Sequence, residues 1–333
     1  MTVEAPTYKK KDFVSDQEIR WCPGCGDYAM LSSIQGVMAS LGVKKENIVV
    51  VAGIGCSSRL PYYIDSFGFH GIHGRAPAIA SGVKCSNPDL DVWIGTGDGD
   101  ALSIGGNHII HAARRNLNLV VVLFNNRIYG LTKGQYSPTT EREHKSPSTP
   151  FGSLDNPFNP ISLLLGAGAT FVARTVDTQP KHMKEIFEAA HAHQGFSVVE
   201  VLQNCVIFND KAFEHITARD IRDDRQIDLL PGKPMVYGKD RDKGLKMIPG
   251  SIELCSPEEA DIWDPSGATG ANGYRLCQGG ETGDMPVPMG IFRQIDAPIL
   301  EADIHAQIAA AREQLGEGTL DSLLNAGETW EVE

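Results

Sequence analysis

Apolar residues recur at helical spacing from about 28 to 41 (YAMLSSIQGVMASL), the mark of a helix with one buried face. A short apolar run, NIVVV at 47–51, reads as a buried strand and ends in the glycine turn Gly53-Ile54-Gly55. The alternation continues with a helix over 76–85, a strand over 92–96, a helix over 101–115 and a valine-rich strand over 119–124. Residues 130–160 carry many Pro, Ser, Thr and Gly and read as a long loop, a length usually tied to function. The segments 162–165 and 171–174, a helix near 181–193 and a strand over 197–202 restore the rhythm. Strands alternating with helices predict an α/β fold: an open, mostly parallel sheet with helices on both faces. Three regions follow: a polar N-terminal arm (1–20), the α/β domain (21–210), and an irregular C-terminal extension (211–333) suited to packing against another subunit. Within that extension only 300–315 (LEADIHAQIAAAREQL) has a clear helical pattern.

Composition narrows the partners. A net charge of -12 argues against phosphate-dominated binding of nucleic acid. No apolar run is long enough to span a bilayer, so a membrane role is not expected. The N-terminal residues have no apolar stretch after their lysines, which points to the cytoplasm. Seven cysteines in such a setting are either buried free thiols or metal ligands.

Candidate chemistry concentrates in GDGDALSIGGNHIIHAARRNLNLVVVLFNNRIYGL, residues 97–131. If strands 92–96 and 119–124 are parallel neighbours, Asp98 and Asn126 each fall just past a strand's carboxyl end, where open α/β sheets bind ligands. Gly97 and Gly99 allow close backbone approach, and the following helix start can receive an anion. Two oxygen-bearing side chains beside an anion suit Mg²⁺ completing its shell with phosphate oxygens. A helix cap at Asp98 is the plain alternative. A nicotinamide dinucleotide site fits less well, because position 102 is Leu and the next strand ends in Asn125-Asn126 instead of an acid.

WCPGCG places Cys22 and Cys25 in a C-x-x-C, with proline and glycine between them favouring an exposed knuckle. Cys56 (IGCSSR) and Cys205 (LQNC) both follow strands, at the same sheet edge as Asp98. Geometry leaves zinc and a [4Fe–4S] cluster equally open at such a four-thiolate set. Cys85, Cys255 and Cys277 have no such placement and read as structural thiols. The histidine pairs His108/His111 and His191/His193 are not expected to bind metal.

CPGCG, IGCSSR, HGRAPAIASGVK, TGDGD and NNRIYGLTKGQYSPTT, taken in order, resemble the β subunit of 2-oxoacid:ferredoxin oxidoreductases, most closely the 2-oxoglutarate-using (2-oxoglutarate synthase) type. The resemblance implies a thiamine-diphosphate-binding fold of the pyrophosphate type. It implies Mg²⁺ on Asp98, Asn126 and the carbonyl of Ile128, with Gly99, Asp100 and Ala101 lining the diphosphate. One [4Fe–4S] cluster would sit on Cys22, Cys25, Cys56 and Cys205. Ser57, Ser58, His73, Leu131 and Thr132 are expected near the cofactor, with His73 and Arg59 as catalytic candidates and Arg59 meeting the substrate carboxylate. Lys133 stands where the family often has glycine, leaving the local backbone shape open. The implied activity is CoA-dependent oxidative decarboxylation of 2-oxoglutarate to succinyl-CoA and CO₂, with electrons passed singly to ferredoxin, and reversible as reductive carboxylation. An α subunit carrying the pyrimidine-binding domain and the catalytic glutamate is the implied partner, in an α2β2 assembly. Pyruvate or another 2-oxoacid is the alternative substrate. An iron-free thiamine-dependent decarboxylase or synthase and a zinc-stabilised interaction module are the alternative classes.

Overall fold

The computed structural model of the chain describes residues 6–279, 284–328, 330 and 332. The first part runs α1 (Asp27–Ser40), β1 (Ile48–Ala52), α2 (Leu60–Tyr63), β2 (Phe67–His70), α3 (Ala76–Ser86), β3 (Asp91–Gly97), α4 (Asp98–Leu102), α5 (Gly106–Arg114) and β4 (Leu119–Asn125). After the long loop come α6 (Pro160–Gly166), β5 (Phe171–Val176), α7 (Pro180–Ala192) and β6 (Phe196–Leu202). The remainder contributes α8 (Glu214–Thr217), α9 (Arg222–Arg225), β7 (Gln226–Leu229), β8 (Val236–Tyr237), β9 (Lys243–Ile248), β10 (Ser251–Cys255), α10 (Ala271–Cys277), β11 (Val287–Gln294), α11 (Leu300–Leu315) and α12 (Leu320–Leu324).

Among the described residues, eight strands form one sheet in the order β2-β1-β3-β4-β6-β5-β11-β7. Every pairing in it is parallel except that of β11 with β5. The central strand shows why the sequence builds it. All seven residues of β4 are buried. Leu119, Val121 and Leu123 face one core, with Ala80, Ile109 and Ala112 from α3 and α5. Val120, Val122 and Phe124 face the other, with Ile34 and Phe187 from α1 and α7. A strand covered on both faces reads as an unbroken apolar run, as LVVVLF does. No helix among the described residues is long and apolar enough to cross a membrane.

Three expectations are corrected. The helix expected over 101–115 is broken into α4 and α5, with Ser103 leaving helical geometry between them. Segment 162–165, left without a type by its pattern, lies in α6, which Asn159 caps by accepting from the Ser162 N–H at 3.1 Å. The arm is not free along its length, since Phe13 is fully buried and Val14 bridges Ile64; residues 1–5 lie outside the described set. The extension is not irregular, for β11 and β7 complete the main sheet and β10-β9-β8 form a small antiparallel one. The main sheet therefore continues past residue 210.

The break between α4 and α5 makes room for a crossing. Gly74, at φ +72°, packs so tightly that a Cβ would lie 2.5 Å from the Gly105 nitrogen. Gly74→Ala is expected to destabilise the chain by roughly 1–3 kcal/mol from backbone strain, with further loss from displacing Gly105. A lowered urea midpoint at unchanged m-value would report it.

Candidate functional site

The chain leaves β1 toward β2 on one side and returns through α3 to β3 on the other, so the sheet order switches direction at β1. Crevices for ligands open at the carboxyl edge beside such switch points. A cavity lies there, lined by the turn after β1 (Ile54, Gly55, Cys56, Ser57), by Gly97, Asp98, Gly99 and Asp100, by Asn126, and by residues 128–132. Asp98 and Asn126, far apart in sequence, line it together. Ile128, Leu131, Thr132, Ser57 and His73 line it as well.

Local turn chemistry aims the metal-binding candidates. Asn125 Oδ1 accepts from the Arg127 N–H at 3.3 Å, and Asn126 Oδ1 from the Ile128 N–H at 3.2 Å. These contacts support Arg127 in the left-handed region at φ +57°. Lys133 also takes left-handed geometry, at φ +74°, so the backbone keeps the shape glycine adopts easily.

Asp98 is buried, and burial pushes its carboxyl up to about 6. Hydroxyl donors oppose this: Ser137 Oγ and Thr139 Oγ1 both donate to Asp98 Oδ2, the latter at 2.6 Å. Thr139 Oγ1 also lies 2.9 Å from Asn125 Oδ1; Asn125 Nδ2 donates to Glu200 Oε1 at 2.7 Å; and Glu200 Oε2 receives Arg174 Nε at 2.6 Å. The SPTT stretch of the long loop is thus the polar backing of Asp98, anchored in the core by a buried ion pair.

Asp100 holds the cavity walls together. Its carboxylate accepts from the Ile54 N–H (3.0 Å), the Gly74 N–H (2.7 Å) and Thr96 Oγ1 (2.7 Å), and pairs with His73 Nδ1 (2.6 Å). Its side chain is therefore committed to protein partners and not to a diphosphate. A Cβ on Gly53 would meet this carboxylate at 2.1 Å, which explains the glycine. Ala101's methyl is in the core and Ser58 is fully buried; neither lines the cavity.

A second cavity is lined by Cys22, Cys25, Cys56 and Cys205, together with Trp21, Arg20, Arg59, Lys133 and residues 206–208. The C-x-x-C forms a tight turn, its Cys25 N–H donating to the Cys22 carbonyl at 3.1 Å with Gly24 at φ +82°. Trp21 Nε1 donates to the Cys56 carbonyl at 2.8 Å and ties the knuckle to the loop after β1. Burial raises the Cys25 thiol far above its ordinary value, and raises Cys56 to about 12 with Asp27, Cys205 and Cys22 adding to it. All seven cysteines are free. Cys85, Cys255 and Cys277 line neither cavity.

Arg59 belongs to the cysteine cavity, donating to the Arg20 carbonyl at 3.0 Å and lowering the Cys56 thiol's affinity for a proton. It lines the cysteine cavity and not the cavity of Asp98.

The residues fit the groups the sequence implies. Ser57 Oγ is buried without a hydrogen-bond partner and lines the first cavity, where a Cβ on Gly97 would stand 3.4 Å from it. An orphaned hydroxyl, a glycine-lined opening and a buried carboxylate suit a diphosphate and a hard cation. At the cysteines, four thiols around one cavity suit a thiolate-bound metal centre.

The sequence reading missed Asp27, Tyr129, Ser137, Thr139 and Gln203. Asp27 lines the first cavity, is fully buried with both oxygens unpartnered, and is raised to about 7, chiefly by burial. Tyr129 donates its hydroxyl to the Gly99 carbonyl at 3.1 Å. The repeated hydroxyls of SPTT were the one available signal. The two cavities share a wall: Cys56, Asn126, Gly130 and Leu131 line both, and a Cβ on Gly130 would sit 3.5 Å and 3.6 Å from the sulfurs of Cys56 and Cys205.

The thiamine pyrophosphate enzyme family, C-terminal TPP binding domain, matches residues 53–201. The chain is 48% identical to 2-oxoglutarate oxidoreductase subunit KorB of Mycobacterium tuberculosis, over 98% of this chain and 89% of that one. It is 45% identical to the 2-oxoacid:ferredoxin oxidoreductase subunit beta of a Sulfolobus species, over 63% of this chain and 69% of that one. Its fold is similar to a chain of 2-oxoglutarate:ferredoxin oxidoreductase from Magnetococcus marinus, solved with 2-oxoglutarate, coenzyme A and succinyl-CoA bound. The TM-score is 0.77 at 34% identity, covering 98% of this chain and all of that one.

Proposed function

This chain belongs to the β subunits of the 2-oxoacid:ferredoxin oxidoreductases, of the 2-oxoglutarate type, and on that premise we propose how its two cavities work. Mg²⁺ would be held by Asp98, Asn126 and the Ile128 carbonyl, where it would neutralise the diphosphate charge of thiamine diphosphate. One [4Fe–4S] cluster is held by Cys22, Cys25, Cys56 and Cys205. The reaction is conversion of 2-oxoglutarate and CoA to succinyl-CoA and CO₂, with ferredoxin as electron acceptor. When bound, thiamine diphosphate supplies the electron sink for loss of CO₂, and the cluster a one-electron acceptor.

The chain's own residues perform four tasks. Ser57 donates its unpartnered hydroxyl to a diphosphate oxygen. Asp100 orients His73 through Nδ1 at 2.6 Å, leaving Nε2 as the nitrogen that holds or passes a proton beside the substrate. The backbone at Gly130 and the side chain of Leu131 separate the cavities without distancing them. Arg59 screens the thiolates, and with Lys133 it presents positive charge at the cysteine mouth, which suits an acidic electron carrier. The observation that carries the proposal is the wall shared by Cys56, Asn126, Gly130 and Leu131.

The glutamate that activates thiamine and the pyrimidine-binding domain come from the α subunit, in an α2β2 assembly in the cytoplasm. The test is an anaerobic assay of the α/β complex with CoA and a viologen dye, paired with iron, sulfide and thiamine analysis. Dye reduction is expected with 2-oxoglutarate and on the order of tenfold or more slower with pyruvate. Bound zinc without iron, or a colourless thiamine enzyme active without the dye, would overturn the proposal.

A further inference from the structure

Gln203 lines neither cavity, yet its side chain joins the two. It is fully buried in the turn after β6, and its backbone N–H donates to the Asn125 carbonyl at 2.9 Å. Gln203 Nε2 donates to the Asn204 carbonyl at 2.6 Å and to Cys25 Sγ at 3.4 Å. Gln203 Oε1 accepts from Asn126 Nδ2 at 2.8 Å.

These contacts define a chain of orientations. A carbonyl oxygen only accepts, so Asn204 determines which end of the Gln203 amide is nitrogen. The oxygen end is left for Asn126, which answers with Nδ2. Asn126 Oδ1 is thereby turned to the side where it receives the Ile128 N–H at 3.2 Å. An amide presenting nitrogen to Mg²⁺ would repel it; presenting oxygen, it is a ligand. On its other side the same amide gives an N–H to a thiol of the cysteine cavity. Hydrogen bonds to ligand sulfurs stabilise the more negative, reduced state of an iron–sulfur cluster.

We propose that Gln203 is a positioning residue for both sites at once: it turns Asn126 so that oxygen faces the cation, and through Cys25 it raises the reduction potential of the cluster. The inference rests on the proposed function. It goes further in assigning one side chain to both cofactors.

The experiment compares the wild-type α/β complex with Gln203→Leu and Gln203→Glu, all prepared anaerobically. Two readouts are taken: the Mg²⁺ dependence of thiamine diphosphate binding by calorimetry, and the cluster midpoint potential by EPR-monitored titration. Leucine removes both contacts. It should raise the Mg²⁺ half-saturation on the order of 10–100-fold and move the midpoint to a more negative value. Glutamate keeps an acceptor for Asn126 Nδ2 but has no donor for sulfur. It should leave Mg²⁺ half-saturation within about threefold of wild type while still moving the midpoint negative. That separation of readouts is not expected of a purely structural residue. If the leucine variant fails to assemble, the glutamate variant decides alone. A wild type holding both cofactors, with unchanged midpoints in the variants or with Mg²⁺ affinity lost in the glutamate variant, overturns the inference. A wild type lacking Mg²⁺-dependent thiamine diphosphate or iron overturns the proposed function instead.

Discussion

Replacing Asp98 by alanine is expected to abolish magnesium-dependent binding of thiamine diphosphate and to lower kcat/KM of the α/β complex on the order of 10³-fold or more. Asp98 is the one anionic side chain among the three proposed ligands. Its Oδ2 is backed by Ser137 and Thr139, which leaves its charge directed by the protein instead of by water. Without a cation the group is a liability. Burial raises it from 3.8 to about 6, so between those values the folded chain holds a proton that the unfolded chain has released. Its contribution to stability is fully present below about pH 4 and is lost as pH rises through about 6. Above that, Mg²⁺ bound as proposed would compensate the buried carboxylate. The rise in Tm on adding Mg²⁺ and thiamine diphosphate should therefore be larger at pH 7.5 than at pH 5, as an order-of-magnitude choice of conditions on either side of the transition. Asp27, raised to about 7, titrates in both chains, so wild type minus Asp98→Ala isolates the Asp98 share. Calorimetry and thermal melts measure both effects. An alanine variant that binds the cofactor normally would remove Asp98 from the site.

Local sequence carried the frame of the fold and the ends of its strands. The apolar run of β4 announces a strand buried on both faces, and once β3 and β4 are parallel neighbours, Asp98 and Asn126 fall at one edge. What stayed hidden depends on contacts between distant segments. The break after α4 is made by Gly74 crossing at Gly105, a fact about packing and not about helix propensity. Strand β11 contains Pro288 and Gly290, which read as loop, yet Gly290 at φ +88° sits beside a register shift and the Pro288 carbonyl receives Arg174 Nη1. Arg174 and Glu200 place opposite charges in fully buried strands, an arrangement that their mutual pairing, with Asn125 and the Pro288 carbonyl, permits. Gln203 follows the same logic: nothing in LQNC shows that its amide meets Asn126 on one side and Cys25 on the other. The sequence motifs named the candidate ligands, while the groups that aim them are visible only in three dimensions.

The fourth thiolate was the least constrained by motif, and its removal is the second large effect expected. Cys205 is buried in the turn after β6, where its carbonyl accepts from the Asn209 N–H at 3.0 Å and holds the sulfur against the Gly130 backbone. Cys205→Ala should reduce iron from about four per chain to near zero in the anaerobic complex, because a cubane held by three exposed or half-exposed thiolates is lost to solvent. The broad absorbance near 400 nm, to order of magnitude typical of sulfur-to-iron charge transfer, should disappear with it. Thiamine diphosphate and Mg²⁺ should still bind, since Asp98 and Ile128 line only the first cavity and Asn126 stands in the shared wall itself, held by Gln203 and not by Cys205. Electrons generated at the thiamine site then have no acceptor, and ferredoxin or viologen reduction should fall by several orders of magnitude while cofactor binding stays intact. Cys277→Ala is the control: that thiol is buried elsewhere, at the end of α10, and its loss should leave iron unchanged. Iron lost equally from Cys277→Ala, or retained in Cys205→Ala, would mean that the cluster is held by a different set of sulfurs. It would also mean that the shared wall does not carry the electrons.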